Sequence, residues 1–175
     1  MPSLLDIYAS YVPRLVFRRA LGRKGPLAGA ELERFETAVL IADVSGFTRL
    51  TEHFAQQGPA GAEALTAILN GYFAKLIDLI LGHGGDVVKF AGDAVLALWP
   101  QSDRPLPASA SLAAQCAAAI QARLHDYEAA PGLRLSLRVG AAAGEVLAAQ
   151  LGGVEGRYEL MLTGPALRAA FAAAD

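Results

Sequence analysis

The chain has 175 residues, 54% of them apolar and 18% charged, with a formal charge of −2. That length predicts one domain with a sizeable core, and the composition excludes disorder and wholesale nucleic-acid binding through a basic surface. A lone cysteine, Cys116, excludes an internal disulfide and fits a reducing, cytoplasmic compartment. No signal-like start is visible, and the apolar runs read as too short or too interrupted to span a bilayer.

Residues 1–21 show partial helical periodicity through Leu4, Leu5, Tyr8, Tyr11, Leu15 and Ala20, with a break or kink expected at Pro13. Arg14, Arg18, Arg19, Arg23 and Lys24 make this end basic. That charge suits either a membrane or partner contact or the solvated face of an amphipathic lead-in helix. Residues 22–29 read as a linker, so 1–34 form a lead-in and 35–175 the domain proper.

Residues 36–42 are strand-like, and Ser45 is placed to cap a short helix carrying Phe47, Leu50 and Phe54 on one face. Gln57-Gly58-Pro59 ends it. Leu65, Ile68, Leu69, Tyr72, Phe73, Leu76 and Ile80 then recur at helical spacing, and Gly82, Gly84 and Gly85 stop the run. Residues 87–91 and 94–99 predict a hairpin around Gly92-Asp93. The next helix carries Leu112, Cys116, Ile120, Leu124 and Tyr127, with the thiol in its buried stripe. Leu133, Leu135, Leu137 and Val139 alternate with Arg134, Ser136 and Arg138, a half-exposed strand. Residues 141–149 continue the sheet after a Gly kink. A strand over 158–163 and a helix opened by Gly164-Pro165 follow. This order predicts an α+β fold: helices packed on one face of a mainly antiparallel sheet. The chain ends inside the last helix, so the fold's final elements are expected beyond Asp175.

Two aspartates carry the chemistry. Asp43 ends the apolar run 38–42, and Asp93 sits in the hairpin turn before the apolar run 94–99. Strand ends in a core do not hold carboxylates without partners, because an unpaired buried charge costs several kcal/mol, roughly. Two converging carboxylates repel unless a cation lies between them, which points to a divalent metal. The turn at 44–48 leads into a helix, whose first N–H groups can hold phosphate oxygens. Two carboxylates, a main-chain carbonyl and phosphate oxygens suit Mg²⁺. His53, His83 and His125 are scattered, read as surface residues, and offer no zinc site. Asp86 reads as a strand-start or turn residue.

Ala42-Asp43-Val44-Ser45-Gly46-Phe47-Thr48 together with Gly84-Gly85-Asp86-Val87-Val88-Lys89-Phe90-Ala91-Gly92-Asp93-Ala94 resembles the catalytic domain of class III nucleotidyl cyclases. The sequence is most similar to the first cyclase domain of the bicarbonate-responsive soluble adenylyl cyclase group, over roughly residues 35–175. The resemblance implies a ferredoxin-like, palm-type fold and a head-to-tail pair with a second cyclase domain, in the same polypeptide, with the site between them. It implies that Asp43 and Asp93, with the Val44 carbonyl, hold two Mg²⁺ or Mn²⁺ ions. Ser45, Gly46, Phe47 and Thr48 would cradle the triphosphate of ATP. One ion would activate the ribose 3′-hydroxyl and the other the departing pyrophosphate, giving cyclic AMP in signal transduction.

The partner-side residues depart from the family pattern. Where a base-reading polar residue, an Asn and an Arg are expected, this chain has Met161, Arg168 and Ala172. Losing one preorganised donor typically costs ~2.7–4 kcal/mol of barrier. The chain therefore reads as the metal-bearing half of a pair, weak or inactive alone. Lys89, on an apolar strand, has two readings: an ion pair with Asp93 or Asp86, or a cation lining a second, degenerate pocket. Phe171 stands where the bicarbonate-responsive group has an arginine, which puts bicarbonate sensing in doubt. Two other readings compete. A diguanylate cyclase is argued against because Val87-Val88 follow Gly84-Gly85-Asp86. The other is a degenerate cyclase-like module that binds nucleotide or only dimerises.

Overall fold

The computed structural model describes residues 12–22, 29–100, 104–152, 155 and 157–175. The expected helix over residues 1–11 and most of the linker lie outside the described residues. Helix α1 (Arg14–Gly22) begins directly after Pro13. Strand β1 (Glu31–Ser45) follows, then α2 (Phe47–Ala55) and α3 (Gly58–Gly82). The hairpin is β2 (Asp86–Ala91) and β3 (Ala94–Pro100). Helix α4 (Leu106–Leu124), strands β4 (Tyr127–Ala130), β5 (Leu133–Gly152) and β6 (Tyr158–Thr163), and helix α5 (Pro165–Ala174) complete it. Tyr127, expected on the preceding helix, begins β4 instead.

The sheet runs β2-β3-β1-β5-β4, with β6 pairing with β5, and every pairing is antiparallel. β5 is one strand where the sequence suggests two. β1 pairs with it from Glu31↔Gln150 to Ser45↔Ser136, and that ladder carries it straight through Gly140.

Alternation along β1 assigns its faces. Ala38, Leu40, Ala42 and Val44 join Tyr72, Leu76, Ile80, Cys116, Ile120 and Leu124 in the larger core, under α2, α3 and α4. This is the expected helical layer. Val39 and Ile41 point the other way, into a smaller core with Leu96, Leu98, Val146, Ala166 and Ala170. The second face is thus covered too, by α5, with Leu15 of α1 against it. Gly140 lets α5 approach: a Cβ there would lie 2.0 Å from the Ala170 carbonyl oxygen. Ending one helical layer at the apolar face of β1 alone would leave Val39 and Ile41 in water, which is why a second layer forms.

Among the described residues α3 is the one helix long and apolar enough to cross a membrane, contrary to the sequence reading. It carries Glu63, Lys75 and Asp78, and its Tyr72, Leu76, Leu79 and Ile80 are buried in the larger core. Tyr72 donates its hydroxyl to the Leu124 carbonyl at 3.2 Å, and burial pushes that phenol above its ordinary range.

α1 is held by its ends. Asp86, buried at the start of β2, accepts the Arg14 and Leu15 N–H groups at 3.0 and 2.9 Å, so it caps the helix. Arg19 pairs with Glu33 at 2.6 Å and lies 5.7 Å from the Phe35 ring centroid.

Candidate active site

The register sets the two aspartates side by side. Asp43 pairs with Ala94 across β1 and β3, so Asp93 sits in the turn next to it. Asp43 is half-buried at 28% exposure, and Asp93 is exposed on its turn. Val44 points its side chain into the larger core, which fixes the backbone at this strand end.

Gly46 turns the chain from β1 into α2. Its φ of +102° lies in the region that favours glycine, and a Cβ would meet the Arg134 carbonyl oxygen at 2.7 Å. Gly46 is the N-cap of α2, and no side chain caps that helix. Ser45, the expected cap, instead donates its hydroxyl to the Ser136 carbonyl at 3.3 Å, because β1 pairs with β5 as far as Ser45. The first N–H groups of α2, around Phe47 and Thr48, are therefore left without side-chain acceptors beside the aspartates. Phe47 stacks on Phe73, centroids 6.0 Å apart, which anchors that first turn to α3.

The partner of Asp43 is one that sequence reasoning missed. Arg138 lies opposite it in the β1–β5 register and donates from Nη2 to Oδ2 at 2.6 Å. The hydrogen bond to Asp43 raises the guanidinium above its ordinary value, with the Asp43 charge adding to it. The one signal for it was the polar alternation of Arg134, Ser136 and Arg138 along β5.

The donors present fit a divalent cation. A guanidinium already stands against Asp43 as a cationic stand-in. Among the described residues no three His, Cys, Asp or Glu side chains gather. Carbonyl, water or substrate oxygens must then complete any coordination, which suits Mg²⁺ or Mn²⁺ and not zinc. His83 and His125 place Nδ1 2.7 and 3.1 Å from the Leu79 and Leu137 carbonyls, and His53 packs edge-on to Phe54. His83 is half-buried, where a surface residue was expected.

Lys89 pairs with neither aspartate. Its Nζ is 2.6 Å from Glu159 Oε1 on β6, so neither Asp93 nor Asp86 is its partner. Its side chain is 43% exposed, because β2 is an edge strand and the ammonium reaches water. Beside it lies a cavity of about 350 Å³, lined among others by Val16, Val88, Gln150 and Tyr158. Met161 and Phe171 are 53% and 47% exposed, and Arg168 and Ala172 are exposed on α5.

The sequence model for the adenylate and guanylate cyclase catalytic domain matches residues 31–165. Adenylate cyclase type 10 of Mus musculus is 32% identical over 156 residues, 88% of this chain but only 9% of that protein. A bacterial light-regulated adenylyl cyclase superposes with a TM-score of 0.65 at 23% identity, covering 96% of this chain and 46% of that one. The catalytic core of a rhodopsin-guanylyl cyclase with converted specificity, solved with ATPalphaS, gives 0.62 at 22% identity, covering 81% and 73%. These structural likenesses bear out the α+β cyclase fold. The domain match over most of the chain and the mouse relative establish more: the chain belongs to the adenylate and guanylate cyclase catalytic domain family.

Proposed function

We propose that this chain is the metal-bearing half of an adenylate cyclase, converting ATP to cyclic AMP and pyrophosphate when a second cyclase domain completes its site. The observation that carries this reading is the Asp43↔Ala94 register, which sets Asp43 beside Asp93 and both beside the uncapped start of α2. Asp43, Asp93 and the Val44 carbonyl would hold the ions. These would supply Lewis-acid activation of the ribose 3′-hydroxyl and neutralise the pyrophosphate. Ser45, Gly46, Phe47 and Thr48 would present main-chain N–H groups to the triphosphate. The adenylate cyclase relative supports adenine as the base.

The second domain is required because Met161 cannot read a base edge and Ala172 offers no charge to the α-phosphate. The partner must bring an Asn and an Arg, in a head-to-tail arrangement. Lys89, beside its cavity, would belong to the second, non-catalytic pocket of that pair. Phe171 supplies no cation there, so bicarbonate is not the ligand we assign.

Mn²⁺ titration of the wild type, Asp43→Ala and Asp93→Ala tests the metal site: both variants should bind markedly more weakly. Cyclic AMP formation should be near background for the chain alone and rise when a domain bearing the Asn and Arg is added. Equal metal binding by all three proteins, with no rescue, would instead favour a degenerate module that binds nucleotide or only dimerises.

A further inference from the structure

Arg138 occupies a position that the metal reading leaves unexplained. It is the direct cross-strand neighbour of Asp43, and its Nη2–Oδ2 distance of 2.6 Å is that of a charge-assisted hydrogen bond. The guanidinium cannot shed its proton in the working pH range, so it cannot become neutral to make room for a second cation. Its side chain is 56% exposed, against 28% for Asp43. The carboxylate sits at the end of a core strand, while the guanidinium is the more exposed of the two. Asp175, at the end of α5, is the other acidic group whose charge acts on it.

We propose that Arg138 is the resident counter-cation of Asp43 in the metal-free chain, and that a divalent ion must displace it to bind. The inference rests on the metal site proposed above. Its physical content is an exchange. Without metal, the arginine neutralises Asp43 and keeps its oxygen oriented. A divalent ion on the same oxygen would face a full positive charge at contact distance, so the two states exclude each other. The arrangement sets a threshold: weakly held ions are turned away, and Asp43 is never left as an uncompensated charge.

The test is Mn²⁺ binding to the free chain without nucleotide, read by the electron paramagnetic resonance of unbound Mn²⁺. Breaking a partly exposed pair releases a modest free energy, so Arg138→Gln should tighten Mn²⁺ about two- to fivefold. Arg138→Lys, which keeps a cation, should stay near wild type. Arg134→Gln removes the same charge about 13 Å along the strand and should change nothing. In the wild type, the Arg138 Nε–H resonance should move on Mg²⁺ addition, a readout independent of any variant. Equal or weaker binding by Arg138→Gln would overturn the proposal while the metal site stands. So would a fixed Nε–H resonance, or equal tightening by Arg134→Gln. Failure of wild type and Arg138→Gln alike to bind Mn²⁺ would overturn the metal site itself, and this proposal with it.

Discussion

Lys89 and Glu159, 2.6 Å apart, join two strands that stand at opposite ends of the run β2-β3-β1-β5-β6. The sheet must curl for its ends to meet, and the usual strand-to-strand twist of about −20 to −25° supplies the curl. The cavity beside Lys89, lined also by Val16 of α1, lies where those ends come together.

This pair is exposed on both sides, which sets the first prediction. Lys89→Met should cost no more than about 1 kcal/mol in urea unfolding, the range of surface ion pairs. Mn²⁺ binding at Asp43 and Asp93 should be unchanged. The effect of an added second domain on turnover should change, if Lys89 lines the non-catalytic pocket proposed above. A loss of several kcal/mol would mean that the ammonium is buried in solution.

The second prediction concerns Asp86. It caps α1 through two backbone N–H groups although 72 and 71 residues separate it from them. Asp86→Ala should lower global stability by roughly 1–2 kcal/mol, as for loss of an N-cap. Hydrogen exchange should report the cause directly: amides of α1 should lose protection, while those of β1 and β5 keep theirs. Uniform loss across the domain would refute a local cap.

The third prediction follows from the approach of α5 to β5. With the Ala170 carbonyl oxygen 2.0 Å from any Cβ at residue 140, Gly140→Ala forces helix and sheet apart. Overpacking of this kind typically costs ~1–3 kcal/mol, and backbone contact puts this case at the upper end. Tryptophan fluorescence of Trp99, buried on the opposite side of the sheet, should barely change in the folded variant.

The last prediction is a pH dependence. Cys116 is fully buried, and burial pushes its thiol from 9.0 up to about 11. The unfolded chain releases that proton at lower pH than the folded one. The thiol's contribution is therefore whole below about pH 9 and is lost as pH rises toward 11, by up to roughly 2–3 kcal/mol. Urea midpoints at pH 8, 9.5 and 11 should fall more steeply for the wild type than for Cys116→Ala. Parallel decline of the two would assign the loss to other groups.

Much of the fold was legible because it is written in local periods. The run from Leu65 to Ile80 fits one helix face, Gly92-Asp93 fits a turn, and Pro165 fits a first helical turn. The positions of Asp43 and Asp93 followed from those elements. What escaped was set across strands. Arg138 looked like one polar residue on a half-exposed strand, and only the pairing of β1 with β5 shows that it faces Asp43, 95 residues away. Glu159 reaches Lys89 over 70 residues, by a curl of the sheet that no local pattern encodes. Gly140 looked like a kink for the same reason: its role is to admit α5, an element from the far end of the chain.

The unbroken length of β5 has a further consequence. Arg138 near one end and Gln150 near the other belong to one strand, separated by about 40 Å of contour at the usual rise per residue. Lys89 nevertheless stands four residues before Asp93 on the β2–β3 hairpin, so the proposed metal end and the Lys89 cavity are joined there by only about 14 Å of chain. In a head-to-tail pair, a second domain must carry its own two half-sites at the same spacing or it engages one end and misses the other. Partner choice would then be a matter of matched spacing as much as of matched chemistry.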